Sequence, residues 1–146
     1  MKKILVTIML FWASSVFASD AIYTSFFSNN AVGGYDTVAY FTVGKPVKGS
    51  SNYSTSYKKT KWLFSSAENL ALFKANPSKY APQYGGFCAW AVAAKNSRAS
   101  GDPLRWNIVN DKLYLNYDKE IQMLWKKDIS GFIVKADVNW PKLLND

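Results

Sequence analysis

The chain has 146 residues, of which 49% are apolar and 16% aromatic, and it carries a formal net charge of +8. It contains one cysteine and no histidine. The absence of an imidazole excludes the serine and cysteine triads that depend on one, and it excludes the common zinc sites.

The first eighteen residues have the pattern of a secretory signal peptide. A basic start precedes an apolar run over residues 4–11, and small or apolar residues lead to Ala18. The run is well short of the roughly 20 residues that a membrane-spanning helix needs. We therefore expect cleavage near Ala18 and a periplasmic or secreted protein. Residues 19–146 have the length of a single domain.

The basic side chains are scattered along the sequence. Lys58, Lys59 and Lys61 surround a predicted turn, and Lys126 and Lys127 lie on a predicted helix. Export argues against nucleic acid as a partner. We interpret these short charge runs as a solvated face, and contact with an anionic membrane surface or a polyanion is the alternative.

The N-terminal part of the domain predicts an entry segment and a strand. Residues 19–32 show no clean period, and we expect Ile22, Phe26 and Phe27 to pack onto the domain. A turn is predicted at residues 33–36 and a strand at residues 38–42, since a Gly-Lys-Pro turn follows.

Two further strands complete a predicted antiparallel meander. Tyr53, Thr55 and Tyr57 alternate with small or polar residues, and the apolar run 62–64 follows a lysine-rich turn. This alternation is typical of half-buried strands.

A helix is predicted directly after this strand. Ser65 and Glu68 have the spacing of a capping box, and Pro77 forces the helix to end before it. Downstream, Gly85 and Gly86 predict a corner, because glycine allows backbone angles and close approaches that other residues do not.

The C-terminal part predicts a short helix, a hairpin and two more helices. Residues 87–95 are apolar nearly all round, as in a buried helix. Strands at 105–109 and 112–117 flank Asn110-Asp111, a strong hairpin signal. Asp118 is a predicted helix cap, and Gly131 a predicted end of that helix. The pattern as a whole indicates an α+β fold, in which a small antiparallel sheet, a meander plus the C-terminal hairpin, packs with several short helices.

Several of these motifs together resemble one known family. The segments GYDTVAYF, FSSAENLALF, YGGFCAWAV and NDKLYLNYD are similar to the YHS domain family, in a variant found in exported bacterial proteins. The resemblance implies a YHS-like domain over residues 19–146, with an N-terminal entry segment and C-terminal helices.

The chain departs from the metal-associated members of that family at two positions. Relatives in copper pumps and similar proteins carry two cysteines in a Y-F-C-S-x-x-C pattern, and those positions here are Ser65 and Asn69. The soft-metal pair of those relatives is therefore not carried over to this chain.

The lone cysteine is the leading candidate for a site. In an oxidising compartment cysteines usually pair, but Cys88 has no second cysteine in the chain. It is either a buried small apolar residue, a reactive thiol, half of an intermolecular disulfide, or a ligand to a soft ion such as copper. A helix start would lower its pKa and burial would raise it, and the sequence leaves that balance open.

The acidic and aromatic residues supply the remaining candidates. Among the acids, Asp36 and Asp102 stand beside glycines in predicted loops. Asp36 either hydrogen-bonds its own turn or faces a pocket with Tyr35, Tyr40 and Cys88. Asp102 belongs to a Gly-Asp-Pro sequence that is typical of a turn.

Three functional hypotheses follow. The first is a non-enzymatic binding module for a small ligand or a metal ion, centred on Cys88 with Asp36, Tyr35, Tyr40 and Trp90 nearby. The second is a redox or detoxifying protein that uses the Cys88 thiol. The third is a structural or partner-binding protein in which Cys88 belongs to the core.

Overall fold

The computed structural model describes residues 21–146, and the predicted signal peptide, residues 1–18, lies outside the described residues. In this part of the chain, two consecutive pairs of strands are separated and flanked by helices. They are α1 (Ala39–Thr42), β1 (Ser50–Tyr57), β2 (Thr60–Phe64), α2 (Ala67–Ala75), α3 (Pro77–Tyr80), α4 (Ala89–Lys95), β3 (Asp102–Val109), β4 (Lys112–Asn116), α5 (Lys119–Lys126) and α6 (Ile129–Leu143). The predicted α+β class is confirmed.

The strands form two separate antiparallel hairpins. β1 pairs with β2, and β3 pairs with β4. The predicted C-terminal hairpin is confirmed, and its turn residues Asn110 and Asp111 have φ angles of 50° and 61°. These positive values are the geometry of the tight turns that match the twist of a hairpin.

The predicted strand at residues 38–42 is wrong, because this segment forms α1. Asp36 Oδ1 accepts hydrogen bonds from the backbone N–H groups of Val38 and Ala39, at 2.9 and 3.2 Å. These two bonds satisfy amides that a helix start leaves unpaired. The predicted meander therefore reduces to the β1–β2 hairpin.

The predicted cap of α2 is wrong by one residue. Ser66, not Ser65, accepts a hydrogen bond from Asn69 N at 3.1 Å and caps the helix. The Ser65 hydroxyl instead donates to the Asp36 carboxylate. A long-range contact has thus replaced the local one that the sequence favoured.

Strand β4 separates two hydrophobic clusters. Leu113 and Leu115 belong to a cluster with Trp62, while Tyr114 belongs to another with Trp125. Successive side chains of a strand point to opposite faces, so β4 contributes to both cores. Its last residue, Asn116, is also fully buried.

The N-terminal entry segment packs only in part. Ile22 is buried, as expected, but Phe26 and Phe27 are each 95% exposed, so the expectation that they pack onto the domain is wrong. The predicted corner at Gly85 is confirmed: its φ is 64°, and a Cβ there would collide with the Ala21 carbonyl oxygen.

The two C-terminal helices follow one another closely. Asp118 caps α5, as predicted, by accepting from Ile121 N at 2.8 Å. The expectation that Gly131 ends this helix is wrong, because Gly131 lies in α6, where its N–H donates to Asp128. None of the helices formed by residues 21–146 has the length and apolar character that crossing a membrane requires.

Candidate functional site

The first candidate site is the buried thiol at the start of α4. Cys88 is the N-cap residue of this helix and is fully buried. Its Sγ donates to Asn116 Oδ1 at 3.6 Å, and the same oxygen accepts from Trp90 N at 3.1 Å. Asn116 thus connects the end of β4 to the first turn of α4.

The hydrogen bonding of this asparagine is incomplete. Its Oδ1 has two donors, but its Nδ2 is buried and has no hydrogen-bond partner in the structure. A buried amide without a partner costs about 1–3 kcal/mol. The centre formed by Cys88 and Asn116 is therefore polar, buried and only partly satisfied.

The structure decides which effect on the thiol pKa is larger. Burial raises the pKa of Cys88, and hydrogen bonds from the backbone of Ala91, Tyr117 and Trp90 lower it by less. The net pKa is raised above the ordinary value of 9.0. Near neutral pH Cys88 is a thiol, whereas a nucleophile or a metal ligand has to be a thiolate.

A small cavity adjoins the thiol. It has a volume of about 250 Å³ and is lined mostly by apolar atoms of Cys88, Trp90, Ala91, Lys95, Ser97, Ala99, Tyr117 and Ile121. The Lys95 ammonium lies 5.6 Å from the centre of the Trp90 ring, at cation–π distance. The predicted neighbours Cys88 and Trp90 thus meet at one cavity.

The second candidate site surrounds Asp36, which is fully buried. Its Oδ1 accepts from Val38 N and Ala39 N. Its Oδ2 accepts from Ser65 N at 2.8 Å, from Ser65 Oγ at 2.5 Å and from Asn69 Nδ2 at 2.7 Å. Asp36 bonds its own turn, which was one of the two alternatives, and it also fastens α2 and the residue after β2 to the start of α1.

This arrangement bears directly on metal binding at positions 65 and 69. Ser65 and Asn69 direct hydrogens, not lone pairs, toward the Asp36 carboxylate, and five donors occupy its two oxygens. Such a set does not fit a soft metal ion, which prefers thiolates. Across residues 21–146, no group of three or more His, Cys, Asp or Glu side chains is placed to hold a metal.

The predicted tyrosines lie with Asp36 and not at the Cys88 cavity. Tyr40 is buried, and its hydroxyl donates to the Pro103 carbonyl oxygen at 2.8 Å. Burial raises the pKa of Tyr40, and the nearby Tyr35, Asp102 and Asp36 raise it further. The five predicted residues therefore separate into two groups, Cys88 with Trp90 and Asp36 with the two tyrosines.

The other predicted acid has a local role. Asp102 begins β3, and its Oδ1 accepts from Leu104 N at 2.8 Å. This is the turn geometry that a Gly-Asp-Pro sequence favours.

Sequence reasoning missed two features of these sites. Asn116 stands at the end of a buried apolar strand, which is the only signal that could have marked it. A second cavity of about 490 Å³ lies where Lys58, Lys112 and Asp137 converge, and Tyr84 donates to Asp137 Oδ1 there at 2.8 Å. No sequence pattern predicts this cavity, because the residues that line it come from segments far apart in the chain.

Comparison with known families gives one match. Residues 38–84 match the YHS domain model, so the predicted resemblance is confirmed for this segment. The segment includes Ser65 and Asn69 but ends before Cys88. No curated protein and no solved structure matches the chain.

Proposed function

We propose that this chain, which carries a YHS domain match over residues 38–84, is a non-enzymatic binding protein of the cell envelope. Its ligand is a small, mostly apolar or aromatic molecule held in the cavity beside Cys88. Periplasmic or secreted localisation, after cleavage near Ala18, belongs to the same proposal and rests on the signal-peptide pattern.

One observation carries the proposal: an apolar cavity of about 250 Å³ stands over a buried polar centre, between Trp90 and Tyr117. Ligand sites typically combine aromatic walls with few polar groups, and pockets for drug-sized molecules measure roughly 300–1,000 Å³. This cavity is smaller, so it suits a single ring or a short chain. Lys95 at its wall favours a ligand with an anionic group.

The geometry favours binding over catalysis. The Cys88 thiol is buried and its pKa is raised, and the Asp36 carboxylate is saturated with donors. Neither group is suited to act as a nucleophile or as a general acid or base, since both roles need an accessible group with a suitable pKa. The thiol-dependent redox alternative is correspondingly less well supported.

An alternative ligand at the same site is copper or another soft ion, and the structure supports it less well. Metal binding is the property generally linked to this domain, but Cys88 offers one sulfur and would have to lose its proton on binding. Tight soft-metal sites need more than one such ligand.

The test is intact mass spectrometry of protein purified from the envelope of an exporting host. The denatured mass reports the cleavage site, and the native mass reports any retained ligand. Titration with 2-aminobenzoate, a fluorescent aromatic anion with a single ring, then probes the cavity. We expect Trp90→Ala to weaken probe binding about tenfold, because one wall of the cavity is lost.

Two variants make the result specific. Leu104→Ala, at an exposed residue outside the cavity lining, should bind the probe like wild type. Cys88→Ala should retain an apolar ligand and lose a metal ion. If Trp90→Ala leaves probe binding unchanged and the native protein carries no adduct, Cys88 belongs to the core and a structural role is favoured.

A further inference from the structure

The segment before α1 presents two phenylalanines to solvent. Ser28 N donates to the Ser25 carbonyl oxygen at 3.1 Å and closes a tight turn. Phe26 and Phe27 occupy its tip, each 95% exposed, with their ring centres 5.3 Å apart in an edge-to-face contact. Among the large apolar side chains of residues 21–146, these two are the most exposed.

Rings this exposed gain no free energy from burial on folding unless they have a partner. Large aromatic side chains at the tip of a loop contribute nothing to the core from which they project. Single exposed apolar residues are common, but two adjacent rings raised on one turn are a different feature.

Lysines lie at the same end of the molecule. Asn30 forms a parallel bridge with Lys61 of β2, so the chain before Asn30 runs toward the same end as the chain before Lys61. At that end, Lys58 and Lys59 form the β1–β2 turn, and all three lysines are exposed.

A second observation supports this placement. Ala21, Ile22, Lys58 and Lys112 line one and the same cavity, so the entry segment and the tips of both hairpins are neighbours. The cavity also contains Asp137, whose carboxylate accepts from the Tyr84 hydroxyl.

We propose that this end of the molecule docks on an anionic lipid bilayer. Phe26 and Phe27 insert between the lipid headgroups, and Lys58, Lys59 and Lys61 contact their phosphates. A projecting tip suits a soft bilayer surface, whereas a protein partner would have to supply a matching cleft. The charge is complementary to an anionic surface, and export would deliver the protein to one.

Both parts of the surface contribute to the expected affinity. A basic residue near an anionic membrane strengthens binding by roughly fivefold, and this part weakens as salt screens it. Buried apolar area adds to it and does not depend on salt in the same way. Binding should therefore need anionic lipid and also the two rings.

The test is flotation of the exported protein, with its N-terminus verified by mass, on vesicles of phosphatidylcholine alone or mixed with phosphatidylglycerol. We expect binding to the anionic vesicles and little to the neutral ones. Phe26→Ala with Phe27→Ala should reduce binding at least tenfold and leave the melting temperature unchanged. Because the two rings contact each other and project to solvent, their loss does not disturb the fold.

Two variants that lose the same charge distinguish the effect of the lysines on this surface from the effect of net charge. Lys58→Gln, Lys59→Gln and Lys61→Gln together should weaken binding by more than tenfold and flatten its salt dependence. Lys45→Gln, Lys48→Gln and Lys119→Gln, at three exposed lysines away from the β1–β2 turn, remove the same charge and should weaken binding far less. Equal losses in the two triple variants would overturn the proposal.

A photoreactive residue at position 27 tests the partner in intact envelopes. Lipid adducts support the proposal, and adducts with a protein in place of lipid would overturn it. Failure of wild-type protein to float with anionic vesicles would also overturn it. None of these outcomes depends on the cavity beside Cys88.

Discussion

Two buried polar centres of this molecule differ in how completely they are satisfied. Asp36 accepts five hydrogen bonds from four residues and ties α1, β2 and α2 together. Asn116 accepts two and leaves its Nδ2 without a partner. The first centre is fully hydrogen-bonded, whereas the second is only partly so, and one of its members, Cys88, lines a cavity.

The family match includes part of the Asp36 centre and none of the centre formed by Cys88 and Asn116. Ser65 and Asn69 lie within the matched residues 38–84, and Cys88 and Asn116 lie outside them. At the two positions where metal-associated relatives carry cysteines, this chain uses hydrogen-bond donors to a carboxylate. The proposed binding site at Cys88 therefore lies outside the segment that the family model describes.

Removal of the Asp36 carboxylate should have the largest effect on stability. We expect Asp36→Ala to lower the free energy of unfolding by about 3–4 kcal/mol, because five donors lose a charged acceptor and three segments lose their common contact. Urea denaturation followed by circular dichroism measures the change.

The Asn116→Ala variant removes the polar side chain of the other centre, and its stability is compared with that of Asp36→Ala. It loses two hydrogen bonds but also removes the unpaired Nδ2, so the net loss should be about 1 kcal/mol. Equal losses in the two variants would show that the two centres do not differ as their hydrogen bonds suggest.

Introducing cysteines at positions 65 and 69 tests whether the Asp36 centre has the geometry of a metal site. Ser65 Oγ and Asn69 Nδ2 are 3.5 Å apart, so two thiols there would be adjacent. We expect Ser65→Cys with Asn69→Cys to bind Cd²⁺ with a thiolate charge-transfer absorption band. Its metal-free stability should fall by about 2 kcal/mol, because Asp36 loses two side-chain donors.

The single variant Ser65→Cys is the control for chelation, since one thiolate does not hold a soft ion tightly. A double variant that binds no more Cd²⁺ than the single variant would mean that the two side chains do not point to a common ion.

Alkaline pH should produce the smallest effect. The pKa of Cys88 is raised in the folded protein, so the unfolded chain releases this proton first, and stability declines as pH rises above the unfolded value of 9.0. Near pH 9.5 the loss from this group is at most about 0.8 kcal/mol relative to neutral pH, a limit that the unfolded value alone sets.

The Cys88→Ala variant should lack this part of the loss of stability. A further loss at higher pH should remain in both proteins, because it comes from three tyrosines with raised pKa values, Tyr40, Tyr84 and Tyr114. Denaturation curves at neutral pH and near pH 9.5 compare the two proteins. Parallel pH profiles would contradict the burial of the thiol. Alkylation of wild-type Cys88 should likewise be slow until the protein unfolds.

Local signals in the sequence correctly predicted the elements whose structure depends on neighbouring residues. Asn110-Asp111 predicted the second hairpin, Asp118 its following cap, and Gly85 a corner. Each depends on backbone angles or on hydrogen bonds within a few residues, which the sequence contains directly. The α+β class follows from the order of such elements.

The tertiary structure alone decided the roles of the polar residues. The local pattern favoured Ser65 as a cap, but its hydroxyl bonds to Asp36, which lies 29 residues earlier. The helix in place of the strand predicted at residues 38–42 has a local cause, because Asp36 bonds amides two and three residues after it. A buried carboxylate must collect donors from wherever the fold brings them, because leaving it unsatisfied is expensive. For the same reason the pairing of Cys88 with Asn116, 28 residues apart, and the balance of effects on the thiol pKa were decided by packing.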